Sequence, residues 1–230
     1  MAVLFIAPLQ QELELFTHSL QMYGHPATSI PIGLLDLLHF PTLNLSVARG
    51  GHGKTQFGVQ TQYLLDHIPN ITAVVCVGAA GALAADLAIG DLVLATETIE
   101  HDYTQRFRPH PLPRFAADAD LLLSVRQLQL HALPFQVHVG IVASGDEDVI
   151  EFERAAALRQ ATEACAVAWE GAGGARACRF NQIAFLELRA ITDTADHNAP
   201  GDFAANLQIA MANAAALVNL WRGQGSEDFI

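Results

Sequence analysis

Three carboxylates stand where apolar runs stop. Glu12 comes a few residues after the run Val3 to Ala7, and Glu170 directly after Ala164 to Trp169. Asp193, with the hydroxyl of Thr192 beside it, closes the apolar part of AFLELRAITDTAD, Ala184 to Asp196. A run that is apolar on both faces reads as a buried strand of a parallel sheet, and ligand crevices open at the carboxyl ends of such strands. Acids delivered there from separate stretches of chain suit general acid and base chemistry, in which one group gives a proton while another takes one or faces positive charge. A carboxylate in the first turn of a helix also favours the helix dipole, which accounts for Glu170 alone. It does not account for three acids at three strand ends.

The elements that must position these acids follow from periodicity. Val3 to Ala7 reads as the first strand and Gln10 to Met22 as a helix with Leu13, Leu15, Phe16 and Leu20 for its inner face, so Glu12 sits in its first turn. Ser29 to Leu34 and Leu35 to Phe40 predict a hairpin around Gly33, with a strand at Leu43 to Ala48 and a helix near Thr55 to His67. Ala73 to Val77 and Asp91 to Thr98 predict strands joined by the loop GAAGALAADLAIG. The Pro-rich stretch Arg108 to Arg114 predicts a surface excursion, followed by an amphipathic helix at Asp118 to His131. Next come a strand at Gln136 to Ala143, the loop SGDED, a helix at Val149 to Thr162, a strand at Cys165 to Trp169 and a small-residue helix at Gly171 to Cys178. A final strand at Ala184 to Ile191 and a helix at Phe203 to Trp221 close the chain. Helices between apolar strands imply one α/β domain over residues 1–230, with a parallel or mixed sheet covered on both faces.

Composition narrows the function. The 230 residues are 51% hydrophobic and 16% charged with a formal charge of -12, so a large core is available, and the Lys and Arg clusters that phosphate contacts need are missing. No nucleic-acid partner and no anionic membrane surface is expected. The most hydrophobic window, Ile71 to Ala95, is interrupted by Asp86 and Asp91 and by glycines, and reads as two buried strands around a glycine turn rather than a membrane span. The start of the chain lacks an export pattern, and Cys76, Cys165 and Cys178 lack metal-ligand spacing, which together point to the cytoplasm.

Several shorter motifs have competing readings. ARGGHGKT, Ala48 to Thr55, fits the phosphate-loop pattern apart from Ala48 in place of its first glycine, yet no switch or water-positioning element accompanies it. A glycine-rich cradle for an anion or a ribose suits the same residues. VGAAGA, Val77 to Ala82, is either a tight strand turn or a pocket wall that a ligand approaches closely. Glu187 and Arg189, two apart in the last strand, share a face and read as a buried ion pair, with Arg189 nearer the crevice. His101 and Asp102 read as loop residues near the pocket. Neither a G-x-S-x-G elbow nor an H-E-x-x-H zinc pattern is present.

Taken in order, LFIAPLQQELELF, GGHGK, VGAAGALAADLAIGDLVLA, HDYTQRF, VASGDEDVI, VAWEGAG and LRAITDTAD resemble the nucleoside phosphorylases and nucleosidases, and within them the 5'-methylthioadenosine/S-adenosylhomocysteine nucleosidases. The resemblance implies a three-layer α/β sandwich with a twisted mixed sheet, a nucleoside substrate, no metal or organic cofactor, and a homodimer. It implies that Glu12 orients or deprotonates the attacking water with Arg189 nearby, and that Glu170 binds the ribose hydroxyls. Asp193, supported by Thr192, would protonate N7 of the purine. The backbone around Val149 would read the base edge, Ala79, Ala80 and Gly81 would form a wall, and HDYTQRF would line the mouth. Asp148 stands where the family usually stacks an aromatic ring, Ala79 where a serine is expected, and Ala168 and Trp169 where an acid and a methionine precede the ribose-binding glutamate. Trp169 offers replacement stacking. Cys76 replaces the arginine with which phosphorylases hold phosphate, which favours water as nucleophile. The alternatives are a phosphorylase using Arg49 and the Gly50 to Gly53 loop, a futalosine-type hydrolase, and a non-catalytic nucleoside-binding protein.

Overall fold

The computed structural model describes residues 2–223. The strands are β1 (Ala2–Ala7), β2 (Thr28–Ile32), β3 (Leu35–Phe40), β4 (Leu45–Arg49), β5 (Ile71–Ala82), β6 (Leu92–Glu100), β7 (Arg114–Ala116), β8 (Val137–Ser144), β9 (Ala166–Ala168) and β10 (Ala184–Asp193). The helices are α1 (Gln10–Met22), α2 (Lys54–His67), α3 (Ala119–Arg126), α4 (Phe152–Thr162), α5 (Gly171–Asn181) and α6 (Ala199–Gly223).

All ten strands join one mixed sheet. β1 lies parallel between β4 and β5, and β5 runs parallel to β10. The sheet also closes on itself, because β10 pairs with β6, β6 with β8, β8 with β9, β9 with β5, and β5 again with β10. Strand twist allows this curling, which brings the carboxyl ends of β5, β8, β9 and β10 toward one another.

Alternation along β1 shows why its run is apolar throughout. Val3, Phe5 and Ala7 pack with Phe16 and Leu20 of α1 and with Met211 and Trp221 of α6, whereas Leu4 and Ile6 pack with Phe57 of α2 and with Ala172 and Cys178 of α5. Helices therefore cover both faces, giving the three-layer sandwich. α6 is long and apolar enough by length and composition to cross a membrane, and here it is a core helix against β10 and α1.

Several boundaries differ from the sequence expectation for physical reasons. The glycine segment Val77 to Ala82 is not a loop: β10 pairs along it as far as Gly81, and β9 pairs with Gly81 and Ala82, so the strand continues. The expected strand start at Leu43 is instead a 3-10 turn, Pro41–Leu43, that ends at Asn44 in a left-handed conformation before β4. The expected helix at Asp118 to His131 stops at Arg126, and Leu128, Leu130 and Leu133 pack onto the core from the turns that follow. α4 starts at Phe152 rather than Val149, which leaves residues 145–151 as an irregular loop. β7 at the end of the Pro-rich excursion has no counterpart in the sequence expectation; it pairs with β6.

Candidate active site

A cavity of about 440 Å³ opens at the convergent strand ends. Such a volume suits a small-molecule ligand. Glu12, Ala79, Ala80, Gly81, Val149, Trp169, Glu170, Thr192 and Asp193 all line it.

Glu12 enters from the first turn of α1. Its Oε2 accepts from the Leu9 N–H at 2.8 Å and its Oε1 from the Ala79 N–H of β5 at 2.8 Å. Burial pushes its pKa up to about 7 and the Glu170 charge adds to this, while the two N–H donors and Arg189 pull the other way. A Cβ on Gly78 would lie 2.9 Å from Glu12 Oε1 and 3.0 Å from Arg189 Nη1, so glycine makes room for both groups.

Glu170 caps α5 at the end of β9. Its Oε2 faces Arg189 Nη2 at 3.2 Å, while its Oε1 lies 3.4 Å from the Gly53 N–H and 3.5 Å from His52 Nδ1. Burial alone would raise its pKa. Hydrogen bonding from His52, the Arg189 charge and the Gly53 N–H overcome that and hold it below the ordinary value. The carboxylate is ionised.

Arg189 does not reach the cavity surface. It is fully buried, its Nε donates to Glu187 Oε1 at 2.7 Å, and Nη1 donates to the Ala79 carbonyl at 3.2 Å. Glu187 also accepts from the Thr98 hydroxyl. The guanidinium thus bridges Glu187 to Glu170 and acts on the site through Glu170.

Asp193 is placed by an irregularity. β10 matches β5 residue for residue from Ala184 to Ile191, then skips Thr192 before pairing Asp193 with Gly81. Such a bulge re-aims side chains. Asp193 Oδ1 accepts from the Ala195 N–H at 2.9 Å, and Oδ2 is 2.8 Å from the Thr192 hydroxyl. Ala195 takes a left-handed φ of 50°, a local cost of about 1–3 kcal/mol that aims its N–H at the acid. Burial raises the Asp193 pKa, against the pull of Ala195 and Thr192. Gly81 leaves space here too, since a Cβ on it would come within 2.7 Å of Asp193 Oδ1.

Three features of the surroundings bear on the alternatives and on the expected mouth. Lys54 of the phosphate-loop-like motif turns away from the cavity to Glu100 at 3.2 Å and to Asp102, and the Lys54 N–H donates to Asp146 Oδ1 at 2.8 Å. Asp102 Oδ2 accepts from the Asp146 N–H at 2.9 Å, so the glycine loop and the SGDED loop are clamped together. Arg49, the phosphate holder of the phosphorylase alternative, is exposed and does not line the cavity. The HDYTQRF segment does not line it either: the His101 ring is buried against Gly145, and Asp102 belongs to the clamp. Sequence reasoning did not single out Leu9, His52 and Phe203, which also line the wall. Among the described residues, no cluster of His, Cys, Asp and Glu is suited to a metal ion.

The pattern that defines the Phosphorylase superfamily matches residues 2–220. The chain belongs to this superfamily. It is 30% identical over 186 residues to the 5'-methylthioadenosine/S-adenosylhomocysteine nucleosidase of Anoxybacillus flavithermus, covering 77% of this chain and 79% of that one. It is also 30% identical over 206 residues to the aminodeoxyfutalosine nucleosidase of Helicobacter pylori, covering 85% and 87%. Among solved structures, the superfamily nucleosidase of Neisseria meningitidis in complex with methylthio-immucillin-A superposes with a TM-score of 0.85 at 27% identity, covering 96% of this chain and 98% of that one.

Proposed function

We propose that this chain hydrolyses the N-glycosidic bond of an adenosine-type purine nucleoside, releasing free base and free sugar. The observation that carries the reading is one cavity holding two buried carboxyls with raised pKa, Glu12 and Asp193, together with an ionised one, Glu170. Breaking the bond builds positive charge on the sugar and negative charge on the base. Glu12, with a pKa near neutrality, takes a proton from the attacking water, and its carboxylate with that of Glu170 faces the oxocarbenium-like sugar. Glu170 holds the ribose hydroxyls, and Arg189 positions Glu170. Asp193 carries the proton that the departing purine needs at N7, and Thr192 orients that acid. Val149 presents backbone to the base edge and Phe203 supplies aromatic surface where the family's usual ring is replaced by Asp148, while Trp169 is stacked on His52 beside Glu170. No Lys or Arg lines the cavity among the described residues, so a phosphate dianion would meet five carboxylates with His52 as its one possible counter-charge. Water is the nucleophile.

The chain acts as one catalytic domain, in the cytoplasm, as a homodimer. Exposed apolar groups such as Phe107, Phe180 and Val59 support the assembly, which sedimentation would measure.

The test is product analysis with adenosine, methylthioadenosine, adenosylhomocysteine, inosine and futalosine, with and without phosphate. Free sugar in both conditions is expected. Sugar 1-phosphate, or binding without turnover, overturns the reading. Asp193→Asn should lower kcat about 100- to 10,000-fold with unchanged circular dichroism.

A further inference from the structure

His52 is a cavity-wall residue for which the hydrolysis above has no use. It stands between Gly51 and Gly53, both with positive φ, so the backbone turns sharply on either side of it. Its ring stacks on Trp169 with centroids 4.2 Å apart and planes at 29°, and its Nδ1 lies 3.5 Å from Glu170 Oε1. The side chain is half exposed, at 51%, and lines the cavity. Because His52 touches Glu170 and Trp169, whereas Asp193 touches Gly81 and Ala195, His52 belongs to the sugar end of the cavity and not to the base end.

Two features make this residue more than a lid on Glu170. It is the only side chain of the cavity wall, among the described residues, that can be positive, against Glu12, Glu147, Asp148, Glu170 and Asp193. An imidazole also reaches Glu170 through one nitrogen only, and Nε2 has no hydrogen-bond partner among the described residues. With the ring plane set by the stack on Trp169 and Nδ1 turned to Glu170, Nε2 is the nitrogen left for a sugar group beyond the hydroxyls that Glu170 holds, and it carries an N–H when the ring is protonated.

We propose that His52 is a specificity-determining residue that selects nucleosides bearing a hydroxyl on the sugar carbon farthest from the base over nucleosides capped there by a thioether. The inference rests on the reading of Glu170 as the carboxylate that holds the ribose. An imidazolium N–H makes a charge-assisted hydrogen bond to a hydroxyl oxygen, whereas a thioether sulfur is a weak acceptor. Glu170, Asp148 and Glu12 all face the ring and favour its protonated form, with the hydrogen bond to Glu170 the largest influence and burial the main opposing one. Asp146 lies behind Gly53, Arg189 is on the far side of Glu170, and Lys54 is neutralised by Asp102 and Glu100. The net effect raises the pKa of His52 above its ordinary value, so selection is strongest in acid and fades as the ring loses its proton at higher pH.

The experiment measures kcat/KM for adenosine and for methylthioadenosine with the wild type, His52→Gln and His52→Phe at pH 6 and pH 8.5. The ratio of the two substrates cancels the titration of Glu12, which both share. The wild type should favour adenosine about tenfold at pH 6, as expected for one charge-assisted hydrogen bond, and less at pH 8.5. His52→Gln should keep a weaker preference that does not change with pH, and His52→Phe should favour the thioether. A wild type that prefers methylthioadenosine at both pH values, or a His52→Phe variant that slows both substrates by the same factor, overturns the proposal. If neither nucleoside is cleaved, the hydrolytic reading fails separately. Calorimetric affinities for the same two nucleosides then decide the selection, and an unchanged affinity ratio in His52→Phe overturns it.

Discussion

Glu12 and Glu170 enter the same cavity from opposite layers, one from the first turn of α1 and the other from the head of α5, and both are almost fully buried. Their proton affinities move in opposite directions. Glu12 receives two neutral N–H donors, whereas Glu170 receives Arg189 and His52 in addition to an N–H. Burial alone therefore does not decide whether a carboxyl keeps its proton; the charge of its partners does. A base must exchange its proton near the working pH, and a group that holds sugar hydroxyls works best as a permanent anion.

The largest test of this contrast is a pair of matched variants. Glu12→Gln should lower kcat about 100- to 10,000-fold with little change in KM, while Glu170→Gln should raise KM as well as lower kcat, because it loses the ribose hydroxyls together with the charge facing the sugar. The two regions also leave opposite marks on stability. Because the folded state holds the Glu12 proton more tightly than the unfolded chain does, Glu12 favours folding in acid. That contribution is lost as pH rises from about 4.5 through about 7, at a cost on the order of 3 kcal/mol. Glu170, with its pKa lowered, stabilises above its ordinary value near 4.5, and this is lost as pH falls through its folded pKa. Glu12→Gln should therefore be less active than the wild type and yet more stable at pH 8, with little gain at pH 5. Urea unfolding at the two pH values measures this. A wild-type stability that does not fall between pH 5 and pH 8 would contradict the raised Glu12.

Removing Arg189, which acts on Glu170 beside His52, should narrow the contrast. Arg189→Met strips Glu187 of its Nε partner and Glu170 of its guanidinium, and breaking a buried pair from one side costs about 3–5 kcal/mol. Adding Glu187→Gln to Arg189→Met should recover part of that loss, because one stranded charge is then gone. A cost under about 1 kcal/mol for Arg189→Met would mean that the bridge is not what keeps Glu170 ionised.

How much of this was legible in the sequence depends on how local the determinant is. α1 is bounded by the residues that periodicity names, Gln10 and Met22, because its inner face and the acid in its first turn lie within one stretch. In sequence the carboxyl half of β5 reads as a loop because Gly and Ala give little strand signal; its strand character comes from pairing with β10 and β9. The missing side chains there are what the carboxylates of Glu12 and Asp193 require, a need set by residues far away in sequence. Glu187 and Arg189 were recognisable as a pair on one face, but the end point of the guanidinium at Glu170 depends on how β10 lies beside β5 and α5. His52 and Phe203 reach the cavity from a glycine turn and from the first turns of a helix that starts earlier than its pattern suggested, and neither position carries a local mark of that role.

The smallest expected effect concerns the acid at the other end of the cavity. Thr192 Oγ1 lies 2.8 Å from Asp193 Oδ2 and 3.4 Å from the Ala80 carbonyl, so the hydroxyl can donate to the carboxylate or, when Asp193 is protonated, accept from it and donate to Ala80. Donation favours the ionised form and lowers the pKa of Asp193 against the effect of burial. Thr192→Val keeps the branched shape and removes the hydroxyl at a cost of about 1 kcal/mol, which corresponds to a fall of roughly fivefold in kcat. Asp193 should then hold its proton to higher pH, so the limb of the kcat profile that follows Asp193 moves up while the one that follows Glu12 stays in place. A variant in which both limbs move together would show that Asp193 and Glu12 are electrostatically coupled across the cavity, and the separate roles drawn for the two ends would have to be merged.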